Sequence, residues 1–105
     1  MIYELRIYHM HPGKIGDIQN RFANHTLGLF ERDGIKVTDF WVDAEDANRI
    51  YYVCEFEDVA AKESAWARFR ENPDWIKART ESELSGPIVE RVESYTMSQA
   101  PFFKK

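Results

Sequence analysis

Cysteine is nearly absent from this chain: Cys54 is the only one, so no internal disulfide can form. A lone thiol in an apolar, strand-like run fits a reducing compartment, and a cytoplasmic location is expected. No Cys-X-X-Cys pair, glycine-rich phosphate loop or glycine-flanked serine occurs. Thiol-redox, nucleotide and serine-hydrolase chemistry therefore lose their usual support. Basic charge is also scarce, with 14 Lys and Arg against 18 Asp and Glu, and it is scattered rather than massed. Nucleic-acid binding needs a basic stripe, so no nucleic-acid partner is expected. No apolar run approaches the roughly 20 residues that span a bilayer, so no membrane partner is expected either. Met1 leads directly into a strand-like segment, which leaves no room for a signal peptide.

What is present is enough for one core. The chain has 105 residues, 44% hydrophobic and 30% charged, which is the composition of a single globular domain. Its organising stretch is the first, IYELRIYH at residues 2–9, which runs into the turn His11-Pro12-Gly13. Strand side chains alternate between two faces. Tyr3, Leu5, Ile7 and His9 share one face, and Ile2, Glu4, Arg6 and Tyr8 share the other. The second places an acid beside a base between hydrophobic groups, and it is expected to line a semi-enclosed cavity.

Residues 14–32 follow with Ile15, Ile18, Phe22, Leu29 and Phe30 at helical spacing. The spacing predicts one helix, ended by Asp33-Gly34. Gly28 inside it is unfavourable by about 1 kcal/mol relative to Ala, and close packing would explain its presence. IKVTDFWVD (35–43) and RIYYVCEFE (49–57) read as an antiparallel hairpin. Asp58 is the N-cap of a helix over 59–71, whose inward stripe is Ala61, Ala65, Trp66 and Phe69. Asn72-Pro73 breaks it and opens a further helix over 74–84. Ser85-Gly86-Pro87 precedes the last strand, 88–98, and a tail follows over 99–105.

The order β-α-β-β-α-β predicts an α+β fold, a ferredoxin-like plait. One four-stranded antiparallel sheet carries its helices on one face, with the first and third strands central. Two helices cover only one side of such a sheet, yet the strands are apolar on both. Leaving the second side wet would expose more than the roughly 300–600 Å² common on monomers. A second copy packed sheet to sheet is the expected cover, making a homodimer with the tail across the partner.

YELRIY near the start, a helix carrying His25 and closing at Asp33-Gly34, and Trp66 with Asn72-Pro73-Asp74-Trp75 resemble the NIPSNAP family. So does the closing run from Glu93-Ser94-Tyr95 to Pro101-Phe102-Phe103. The resemblance spans nearly the whole chain and implies a dimeric α+β barrel. Small cofactor-free monooxygenases and some haem-binding proteins use the same architecture. It implies no established reaction.

Several residues are candidates for chemistry. Arg6 can bind a carboxylate or enolate oxygen while Glu4 holds it in position or takes a proton; the competing role is a structural ion pair. His25 is expected on or beside the inward helical face, as a proton-handling group, a haem ligand or a hydrogen-bonded core histidine. Tyr8, Trp41, Tyr51 and Tyr95 are candidate walls of a small-molecule pocket, against the plainer reading of core or dimer contacts. His9 and His11 have two-point chelating spacing but no convincing third ligand, so no metal is expected. Trp66, Phe69, Trp75 and Ile76 read as helix-packing residues only. The expected function is binding or transforming a small aromatic or anionic molecule without metal or other cofactor. A non-catalytic interaction module is the alternative, and haem binding, resting on His25 alone, is a third.

Overall fold

A computed structural model describes residues 1–104. Their elements run β1 (Ile2–Met10), α1 (Ile15–Arg21), a π-helical turn (Phe22–Thr26), α2 (Leu27–Arg32), β2 (Lys36–Val42), β3 (Arg49–Phe56), α3 (Val59–Glu71), α4 (Pro73–Ser82) and β4 (Val89–Met97). The sheet order is β2-β3-β1-β4, with every neighbouring pair antiparallel. This is the expected plait with β1 and β3 in the centre.

The strands follow their alternation. In β3, Ile50, Tyr52, Cys54 and Phe56 are buried beneath the helices, while Arg49, Tyr51, Val53 and Glu55 turn to the other side. Ile18, Phe22, Leu29 and Phe30 from the first helical stretch and Ala65, Trp66 and Phe69 from α3 close over them. Edge-on ring contacts fill the layer, Phe22 to Phe40 at 4.9 Å and Phe30 to Phe69 at 4.8 Å. The Asp58 carboxylate accepts the Ala61 N–H at 2.8 Å and so caps α3. Asn72, held extended by the following proline, caps α4 by accepting the Asp74 N–H at 2.9 Å.

The first helical stretch departs from expectation. It is continuous in direction but not in winding, because the Phe22 carbonyl accepts the N–H of Leu27, five residues on. That extra residue in the turn advances the inward stripe from position 25 to position 26. Thr26 is buried, its hydroxyl donating to the Arg21 carbonyl at 3.3 Å, and His25 faces outward. Close packing does not explain Gly28: a Cβ built there would meet no atom within 4 Å. Gly34 does need its freedom, since it leaves α2 with φ +83°.

Candidate functional site

Pairing sets the geometry. Across the sheet Arg6 lies opposite Tyr52 on β3 and Ser94 on β4, and Glu4 lies opposite Cys54 and Thr96. All therefore share the side that the helices cover. Glu4, only 2% exposed, is saturated with donors. Its Oε1 accepts from the Trp66 indole N–H at 2.6 Å, and its Oε2 accepts from Ser94 Oγ at 2.5 Å and Arg6 Nη1 at 3.0 Å. Arg6 Nε donates to the Tyr52 hydroxyl at 2.8 Å, and the Tyr52 and Tyr8 hydroxyls share a hydrogen bond at 2.8 Å. The guanidinium lies 4.3 Å from the Trp66 ring centroid, so a cation–π contact adds to its support.

The electrostatics follow from these contacts. Burial raises the Glu4 pKa, but the donors from Ser94, Trp66 and Arg6 outweigh it and hold the carboxyl below its ordinary value. Burial works against the Arg6 charge too, and Tyr52, Tyr8 and Glu4 overcome it, leaving the pKa raised. Burial keeps Tyr52 a neutral phenol, far above its usual pKa. The neighbouring Cys54 thiol is pushed up to about 12, chiefly by burial and then by Glu4, which makes it a poor nucleophile.

The face expected to line a cavity thus forms a filled polar cluster with one open edge. That edge lies over β4, where Val92, Ser94 and Thr96 are exposed on the helix-covered side. The Arg6 side chain is 19% exposed there. Among the described residues its Nη2 has no hydrogen-bond partner.

The other candidate residues lie elsewhere. Trp41 pairs with Tyr51, Tyr51 with Ile7, and Tyr95 with Leu5, which puts all three aromatics on the helix-free side, away from Arg6. Strand parity separates them: Tyr51 and Tyr95 are partners of odd positions in β1, and Trp41 reaches the same face through Tyr51. His25 does not join the cluster either, because the π turn rotates it outward, beside Asn24, Arg32 and Glu81. His9 is engaged on the helix-free side, its Nε2 lying 2.5 Å from Glu93 Oε2.

Three members of the cluster are not among the residues that the sequence marks for chemistry. Trp66 is more than a packing residue, since it supplies a donor to Glu4. Tyr52 was visible as the inward member of the Tyr51-Tyr52 pair once β1 is paired with β3. Ser94 carried no local signal.

The fold recurs in solved structures. An uncharacterized NIPSNAP domain protein from Burkholderia xenovorans superposes with a TM-score of 0.84 at 19% identity, covering 100% of both chains. A NIPSNAP family protein from Agrobacterium tumefaciens gives 0.84 at 13% identity over 96% of this chain and 94% of its own. An antibiotic biosynthesis monooxygenase gives 0.63 at 13% identity over 96% of this chain and 100% of its own. Identities this low speak for fold alone. Among curated proteins, none matches the sequence. The NIPSNAP family pattern, by contrast, matches residues 3–104, and the chain belongs to that family.

Proposed function

We propose that this NIPSNAP protein binds a small anionic molecule at the open edge of the Arg6 cluster, on the way to transforming or carrying it. One observation carries the reading: a guanidinium fixed by Glu4, Tyr52 and Trp66 still presents an unengaged N–H₂ group at a partly exposed edge. A fork fixed in this way is preorganised for a carboxylate, with the Tyr8 hydroxyl beside it as a further hydrogen-bonding group. Glu4 acts here as a positioning residue, because three donors and a depressed pKa leave it little capacity to take a proton. A thermal-shift screen of small carboxylates and aromatic metabolites tests this. Binding at a hundredfold excess over Kd adds about 2.7 kcal/mol of stability. Arg6→Lys keeps the charge that balances Glu4 but loses the fork, so it should weaken binding while retaining the fold. If no compound shifts the melting point, the cluster is structural.

That structural alternative has its own support. Glu4 ties β1 to α3 through Trp66 and to β4 through Ser94, which is what a purely architectural ion pair would do. Tyr8→Phe separates the two readings, since it removes a hydroxyl near the open edge and should reduce ligand binding more than stability.

The helix-free side belongs to assembly in the same proposal. Leu5, Ile7, Tyr51 and Val53 form its centre, with Trp41 52% and Tyr95 51% exposed around them. A second copy, sheet against sheet, would cover this face. A folded monomer in sedimentation at micromolar concentration would overturn it.

A further inference from the structure

Arg21 is the other buried arginine, 5% exposed at the end of α1, and its charge is poorly answered. Its Nη1 donates to Ser82 Oγ at 3.2 Å, while its Nε is shut away from water without a hydrogen-bond partner. The carboxylate it pairs with, Glu83, is 3.9 Å away and is shared with Arg79 Nε at 3.4 Å. The guanidinium carbon lies 5.1 Å from the centroid of Trp75. Burial lowers the Arg21 pKa, opposed by Tyr8 and Glu83 and reinforced by Arg79, the opposite outcome to Arg6.

Trp75 and Glu83, the groups that meet Arg21, also wall a cavity of about 660 Å³ between the end of α3 and α4. Its other lining residues are Arg70, Ile76, Arg79, Thr80 and Leu84. Among the described residues no carboxylate pairs with Arg70. Two guanidiniums, those of Arg21 and Arg79, thus share one glutamate, while Arg70 lines the same cavity beside an indole and two exposed aliphatic side chains. An arrangement so short of negative charge is unfavourable to bury on the Arg21 side and attracts an anion on the open side. The aliphatic groups and Trp75 offer that anion an apolar body contact.

We propose that the α3–α4 cavity is a second ligand site, taking a carboxylic acid with an apolar body. Arg70 and Arg79 receive the carboxylate, Trp75, Ile76 and Leu84 receive the body, and Arg21 sets the positive field from behind. Glu83 is then a tethered competitor, occupying charge that the ligand would use. This site is separate from the Arg6 edge and does not depend on it.

Benzoate, its neutral isostere benzamide, and inorganic phosphate are the probes, followed by thermal shift and ligand-observed NMR. Benzoate should bind and benzamide should not. Arg70→Gln and Arg79→Gln should each weaken benzoate about tenfold, the worth of one charge-assisted contact. Both residues are exposed at the cavity mouth, so the ligand-free melting points should change little. Glu83→Gln should tighten benzoate, which a merely structural salt bridge would not do, and Arg6→Lys should leave it unchanged. Equal binding of benzamide, or of phosphate, overturns the assignment of ligand class. Loss of benzoate in Arg6→Lys, with Arg70→Gln and Arg79→Gln silent, places the molecule at the Arg6 edge and overturns the second site. Absence of any benzoate-dependent shift overturns it outright.

Discussion

The two sides of β1 are built from alternate residues of one strand, yet they solve opposite problems. On the helix-covered side, Glu4, Arg6 and Tyr8 bury charge and answer it within the chain, through Trp66, Ser94 and Tyr52. On the helix-free side, Leu5 and Ile7 run beside Val53, Tyr51 and Tyr95 with no helix above them. Polar groups there pair toward the two ends: His9 and Tyr95 with Glu93 and Tyr51 with Asp43 at one, Lys36 with Glu55 at the other. Helices bring donors, so charge can be buried beneath them; a second sheet would bring chiefly apolar surface, so the facing side stays apolar. The difference leaves charge answered inside the chain on one side and apolar surface bare on the other.

Removing Glu4 should have the largest effect. Glu4→Ala strands Arg6 and the Trp66 N–H in the interior, and a broken buried pair typically costs about 3–5 kcal/mol. Urea unfolding should show that loss at every protein concentration, and a loss under 1 kcal/mol would mean the covered side is not self-contained. Trp41→Ala on the bare side should act differently. Aromatic anchors in interfaces contribute about 2 kcal/mol or more, so the proposed dimer should weaken while isolated-chain stability changes little. The telling measurement is the concentration dependence of Tm, which should shrink in the variant.

Acid offers a milder version of the first test. The folded pKa of Glu4 lies below its ordinary 4.5, because Ser94, Trp66 and Arg6 together overcome the opposing effect of burial. A depressed carboxylate pKa contributes stability that is complete above the unfolded value and disappears as pH falls through the folded one. Unfolding midpoints should therefore drop below pH 4.5, and by less in Ser94→Ala, which gives up one of the donors. The smallest effect belongs to neither side. Gly28→Ala, on an exposed helical position with nothing near its Cβ, should gain about 0.5–1 kcal/mol in thermal unfolding.

Strand parity, helix caps and the order of elements could be read from the sequence because each depends on neighbours a few residues apart. Asp58 and Asn72 cap where their side chains reach the next turn, and β3 alternates as RIYYVCEF dictates. The same local rules grouped Glu4, Arg6 and Tyr8. They could not place Trp41, Tyr51 and Tyr95, because which parity of one strand joins which parity of another is fixed by register. Nor could they place His25, since one wider turn beginning at Phe22 shifts the inward stripe by a residue, and no composition signal marks it.

The sequence by itself determined an α+β plait with a charged pair on one face of its first strand. Tertiary structure decided what that pair means. Trp66 is 62 residues from Glu4 and Ser94 is 90 residues away, and their donors arrive only when α3 and β4 pack against β1. Arg21 likewise meets Ser82 and Glu83 only across the α1–α4 contact. Hydrogen bonds and ion pairs act over a few ångströms, so long-range chain packing, which no local pattern encodes, decides which charges are answered and which remain free.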